Sequence, residues 1–292
     1  MRRLILPFLG FLFLAVPALA GPLDDPLDED AVRGELIERL QATGAFTRIE
    51  ALPDGTVDID WAEGDGGNAY LGNLLRDMVD ASPKDRDAQL QAYVQSMLLM
   101  ARRDAQVPDH GTLRISVYDD AYIAEVHRLS TGAETPPTVA ETMQPRRRIA
   151  GTLWQVIVID TPSSTYVPTP DELQKMGLTT DQAWEVAHDN LLALAGQVQI
   201  EAYDNGFWLL LLDGYYENTL LTVPQVWEQM QTVIDGTPVA VSPARGFLLV
   251  GRAEDPASVE TVRRIAKEVF ETRGHPISTE MLIWRDGAWA SY

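Results

Sequence analysis

The chain has 292 residues, with 43 acidic against 23 basic side chains, a formal charge of −20, four histidines and no cysteine. So acidic a surface repels phosphate backbones and anionic lipid, which sets nucleic-acid and membrane-surface roles aside. The missing cysteine removes thiol catalysis, iron–sulfur clusters and thiolate zinc sites, and leaves a chain of this length to be held by its core alone.

The first twenty residues read as an export signal. Arg2-Arg3 is a basic start, residues 4–16 are almost wholly apolar, and Ala18-Leu19-Ala20 offers small-x-small spacing before Gly21. The apolar run is at the lower limit for a membrane span, and Pro7 and Pro17 break it. Cleavage after Ala20 is therefore expected, giving a periplasmic or secreted product with no stable membrane anchor. Removing Arg2 and Arg3 makes the remainder more acidic still, and residues 24–30 form a solvated acidic leader.

Residues 30–43 carry Val32, Leu36, Ile37 and Leu40 on one helical stripe. Residues 46–50 and 56–61 then read as strands about the turn Pro53-Asp54-Gly55. Residues 69–81 follow, and Ser82-Pro83 starts a longer helix with Leu90, Tyr93, Val94, Met97, Leu98 and Ala101 as its apolar stripe. A strand at 113–117, a helix at 122–129 and a polar, proline-rich loop at 130–138 come next, closed by Arg146-Arg147-Arg148. Residues 153–159 are too apolar to face water on either side, which places them centrally in a sheet.

Three further helices, each followed by a hairpin, complete the chain. Residues 179–195 open with a Thr179/Gln182 capping box and stop at Gly196, before a hairpin of 198–203 and 207–212. Thr222 and Gln225 frame a second box around Pro224, with Val226, Trp227, Met230, Val233 and Ile234 expected inside, before strands 238–242 and 247–251. Asp255-Pro256 starts the last helix, and strands 281–285 and 288–291 turn about Asp286-Gly287. The order predicts an α+β fold of repeated helix–hairpin units, with helices packed on largely antiparallel sheet. It divides into a signal at 1–20, an N-terminal α+β region at 21–130, a loop with basic run at 131–148 and a C-terminal α+β domain at 149–292.

Several segments stand in order along this frame: 69–74 (AYLGNL), 153–160 (LWQVIVID), 213–218 (DGYYEN) with Leu220-Leu221, 239–245 (VAVSPAR) and 282–287 (LIWRDG). Together they resemble the YtpQ-like family of uncharacterised bacterial proteins, and the resemblance covers most of the chain after the signal. It implies a fold and no chemistry, because the family is a domain of unknown function with no established catalytic residues.

Chemistry is sparse. No histidine pair has i, i+4 spacing and HExxH is absent, so no metal or other cofactor is expected. His188 lies beside an apolar stripe, His127 near a helix end, and His110 and His275 in proline-flanked turns. Asp58, Asp60, Glu63 and Asp65 fall short of a calcium loop, since Ala62 and Ala69 occupy ligand positions. Ser163-Ser164 lack a nucleophile elbow.

Two patches remain. Arg146, Arg147 and Arg148 are arginine forks suited to carboxylate or phosphate, or to pairing with acidic neighbours. Asp213, Tyr215, Tyr216, Glu217 and Asn218 follow an apolar strand and combine flat rings with polar groups, either as a recognition surface or as a turn whose tyrosines seal the core. The leading expectation is an exported, soluble, non-catalytic binding or accessory module with a protein or envelope partner. The alternative is a hydrolase of a periplasmic glycan or ester, with Asp213 and Glu217 as its carboxylates and Tyr215 and Tyr216 as a sugar platform.

Overall fold

The structure, a computed structural model, describes residues 21–61, 67–100, 107–131, 145–161 and 164–292. The segment 1–20 expected to be an export signal, Glu63 and Asp65, most of the 130–138 loop, and Ser163 lie outside the described residues. The chain is a mixture of helices and antiparallel sheets, as an α+β fold requires.

The N-terminal part is one small layer pair. Helix α1 (Glu29–Thr43) is capped by the Asp28 carboxylate on Ala31 N and buries Val32, Leu36 and Leu40. These meet Val57, Ile59 and Ala69 of a three-stranded sheet, β1 (Phe46–Ala51), β2 (Val57–Trp61) and β3 (Gly67–Ala69), in that order. Helices α2 (Gly72–Met78) and α3 (Pro83–Met100) close the cluster with Met78, Leu90, Val94 and Met97. Asp58 and Asp60 face outward on β2, where Arg48 of β1 pairs with both across the ladder.

The second sheet holds β4 (Leu113–Asp119), β5 (Arg146–Ala150), β6 (Leu153–Thr161) and β7 (Ser164–Tyr166), with α4 (Asp120–Thr131) following β4. Strand β6 lies between β4 and β5 and pairs with β7 at its far end, the central place that its apolar run predicts. Val156, Ile157, Val158 and Ile159 are fully buried, each a side chain whose removal from water stabilises by about 1.5–3 kcal/mol. Arg146 to Arg148 belong to β5 rather than to the end of a loop.

Helices α5 (Pro170–Lys175) and α6 (Thr180–Ala195) lead into the third sheet. That sheet comprises β8 (Gln199–Tyr203), β9 (Phe207–Leu211), β10 (Pro238–Val241), β11 (Leu249–Arg252), β12 (Leu282–Arg285) and β13 (Ala288–Ser291), ordered β13-β12-β10-β11-β9-β8. Its inner face shares a core with β4, β6, α6 and helix α7 (Pro224–Ile234), through Leu210, Ala240, Val250, Ile157, Trp184 and Trp227. Helix α8 (Pro256–Thr272) covers the outer face, setting Val259, Val262 and Ala266 on Val239, Val241 and Leu249. Both faces covered explain why β10 is buried at every position.

Capping signals divide instructively. Thr179 and Gln182 form the reciprocal box that the sequence predicts. Thr179→Ala is therefore expected to lower unfolding free energy by about 1 kcal/mol, read as an earlier urea midpoint. The Thr222/Gln225 box does not form. Thr222 ends a 3-10 turn (Glu217–Thr222), its hydroxyl donates backward to Thr219 O at 2.8 Å, and α7 starts from Val223 without a side-chain cap. Val233 is exposed, on the outer side of α7. Gly196 ends α6 in right-handed conformation, so the stop there does not use glycine's left-handed freedom.

Candidate functional site

The stretch after β9 is a built turn. Asp213 Oδ1 accepts from Tyr215 N at 3.0 Å and Tyr216 N at 2.9 Å, which caps the following 3-10 turn. Glu217 folds back beneath it, its Oε1 accepting from Leu212 N at 3.0 Å and Gly214 N at 2.7 Å. Tyr216, Glu217 and Asn218 are buried, whereas Asp213 is exposed. The patch read as one surface in the sequence therefore splits. Asp213, Tyr215 and Tyr216 line a cleft, while Glu217 and Asn218 support the turn from inside.

A second turn packs against the first. Gly246, at φ 74°, lies so near the Gly214 carbonyl that a Cβ there would stand 2.4 Å from it. Only a glycine permits this approach, and it brings Arg245 over the Tyr215 ring at 4.4 Å from its centroid. Arg245 Nη1 also donates to the Tyr215 hydroxyl at 2.8 Å. That hydroxyl lies 2.9 Å from Thr165 Oγ1, which donates to Asp160 Oδ1 at 2.9 Å. Counting protons fixes the direction. Thr165 gives its single proton to Asp160, so Tyr215 donates to Thr165 and accepts from Arg245. Two hydroxyls thus carry a polarised chain from a cation to an anion. Burial holds the Tyr215 phenol above its ordinary pKa, against the pull of Arg245. Burial also raises Tyr216, assisted by the negative field of Asp160.

The opposite wall comes from the N-terminal part. Tyr70, Asn73, Asp77, Ala92, Tyr93 and Ser96 line it, and the cleft between the walls is about 1110 Å³. Tyr93 donates to Tyr70 O at 3.1 Å, and burial pushes its phenol up to about 12. Asn73 Oδ1 accepts from His275 N at 3.0 Å, tying the two walls together. Tyr118 and Tyr122 stack at 4.1 Å within the same cleft.

His275 is held neutral, its pKa lowered to about 4 by burial and by Arg245. Below the ordinary value of 6.5 the unfolded chain takes up a proton that the folded chain refuses. Stability from this group therefore falls as pH drops from 6.5 to about 4 and changes no further below. Asparagine suits the left-handed φ of 54° at this position. His275→Asn is expected to shrink the stability lost between pH 7 and 4.5 in urea unfolding; an undiminished loss would remove His275 as its source.

The other predicted patch lies elsewhere. Arg146 and Arg148 both sit over Trp154, at 4.6 and 4.0 Å, and Arg147 lies over Trp184 at 4.6 Å. Arg147 and Arg148 pair with Asp181 and Asp120. None of the three lines the cleft. His110 bonds Met176 O at 2.8 Å, and no cluster of three or more metal-ligating side chains occurs among the described residues.

Comparisons of the chain with models of known protein families, with curated proteins and with solved structures found no match. Segments 69–74, 153–160, 213–218 and 239–245 reach the cleft, through Tyr70 and Asn73, Asp160, Asp213 with Tyr215 and Tyr216, and Arg245.

Proposed function

We propose that the chain is an exported, non-catalytic binding module of the bacterial envelope, and that the cleft around Arg245 and Tyr215 is where it holds its ligand. The observation that carries this is the cleft's lining. Six tyrosines supply flat amphipathic surface, and Arg245 makes no ion pair among the described residues. Convergent polar groups in a large concave site are the general mark of ligand recognition. Export rests on the pattern of residues 1–20, and among the described residues no helix is long and apolar enough to cross a membrane. The sequence of α1 with β1–β2, α6 with β8–β9, α7 with β10–β11 and α8 with β12–β13 supports the finer reading of a helix–hairpin unit used repeatedly. YtpQ-like membership belongs to the same proposal.

The binding reading is favoured over the carboxylate hydrolase by where the two carboxylates stand. Glu217 is buried on main-chain amides, outside the cleft, and Asp213 caps the turn. The test of the binding reading is native mass spectrometry on protein purified gently from the envelope of its own cells. Ala92 is exposed on the α3 wall, so Ala92→Trp obstructs the cleft without entering the core. A bound small molecule on the wild type that Ala92→Trp lacks is the expected result. A wild-type chain that stays bare after incubation with envelope extract would overturn the reading.

A further inference from the structure

We infer that the ligand is a zwitterion of peptide type, its carboxylate seated on Arg245 and its ammonium facing Asp213. This rests on the cleft's being the ligand site. Arg245 has five N–H donors in a planar fork, and the hydrogen bond of its side chain among the described residues goes from Nη1 to Tyr215. The rest of the fork, held 4.4 Å over the Tyr215 ring centroid, matches the two oxygens of a carboxylate.

Charge decides against a phosphate or other polyanion. Asp77, Asp160 and Asp213 line the cleft against Arg76 and Arg245, in a chain of formal charge −20. A dianion meets that field at a cost, whereas a molecule with one charge of each sign does not. A neutral sugar would leave Arg245 desolvated without an anion.

Geometry then places both charges within one small ligand. Asp213 caps the amide of Tyr215 while Arg245 covers its ring, and the turns bearing them touch at Gly214 and Gly246. Asp213 uses Oδ1 for the turn and is exposed, which leaves Oδ2 for a ligand amine. The stacked Tyr118 and Tyr122 offer flat apolar surface for the ligand's side chains. The relay to Asp160 holds the Tyr215 hydroxyl, and with it Arg245, in position before any ligand arrives.

The experiment is native mass spectrometry on the full chain with four probe pools. These are tripeptides free at both ends, the same tripeptides amidated at the C-terminus, the same acetylated at the N-terminus, and neutral chito-oligosaccharides. Free tripeptides should bind one to one. Amidation, or Arg245→Gln, should weaken binding roughly 10- to 100-fold, the effect of losing hydrogen bonds to a charge. Asp213→Asn retains the capping oxygen and removes the charge, so it should weaken free tripeptides while leaving the acetylated pool unchanged. Tyr215→Phe retains the ring and cuts the relay, and should weaken binding less than Arg245→Gln. Equal binding of amidated and free pools, wild-type binding by Arg245→Gln, or capture of the oligosaccharides alone would each overturn the assignment. Tripeptides that fail on a protein carrying an adduct sensitive to Ala92→Trp would sink the peptide class alone. No such adduct would sink the binding reading with it.

Discussion

Arg86→Ala is expected to destabilise the protein by about 3–5 kcal/mol, the scale for removing one member of a buried charged hydrogen-bond set. Arg86 is 2% exposed, in the first turns of α3. Its Nε donates to Met78 O at 2.8 Å, Nη2 to Val79 O at 3.1 Å and Nη1 to Leu23 O at 3.0 Å, with Asp25 2.8 Å from Nη2. The first two carbonyls lie at the end of α2, where Met78 O also accepts from Ala81 N at 3.1 Å. One guanidinium thus caps α2, anchors the chain start at Leu23 and fixes the corner between α2 and α3. Alanine removes the guanidinium's bonds to Val79 O and Leu23 O and leaves Met78 O only its backbone donor, in a place that water enters poorly. Arg86→Lys retains charge but not the fork, and should recover only part of the loss. Urea unfolding followed by circular dichroism measures both; a change below about 1 kcal/mol for Arg86→Ala would show that water replaces the fork.

Arg86 also shows where sequence reading stops. It lies four residues before Leu90, on the stripe that Val94 and Met97 continue, so periodicity alone puts it inside. An arginine is normally read as the solvated face, and its three carbonyl partners come from segments whose contact no local pattern reveals. The elements themselves were more legible. The central place of residues 153–159, the Thr179 box, the Asp255 cap and the last hairpin all follow from local signals that tertiary packing does not oppose. The Thr222 box failed because a neighbouring 3-10 turn claimed the hydroxyl first.

The site was half legible for the same reason. Tyr215, Tyr216 and Asp213 stand together in the chain and were found together. Arg245, Thr165 and Asp160 join them only through turns brought into contact by the sheets, and their order in sequence says nothing of the relay. Arg146 to Arg148 drew notice as a run, yet a run on a strand places alternate residues on opposite faces. Each lies over a tryptophan ring, away from the cleft.

Glu217→Ala is the second large effect, and it couples stability to the cleft. The carboxylate is 1% exposed, Oε1 holds two amides of the turn, and Oε2 is buried without a hydrogen bond. Hydrogen bonds to a buried charge contribute about 1.5–3 kcal/mol each, so their loss is expected to cost about 3–5 kcal/mol. Glu217→Gln keeps an acceptor in place of Oε1 and removes the charge. It should cost far less than alanine, because the unbonded oxygen gave up its hydration without recovering a partner. The same contrast must appear locally. In Glu217→Ala the amides of Leu212 and Gly214 should exchange with solvent much faster, while those in β6 stay protected. Tyr215 and Asp213 belong to that turn, so ligand capture should fall in step with the exchange. Replacing Tyr215, Tyr216 and Glu217 together by alanine would therefore unfold the turn and report nothing about recognition. Unchanged exchange at Leu212 and Gly214 in Glu217→Ala would mean that the carboxylate does not hold the turn. The burial of Glu217 would then need another cause, and Arg245 would owe its position over Tyr215 to the 244–247 turn alone.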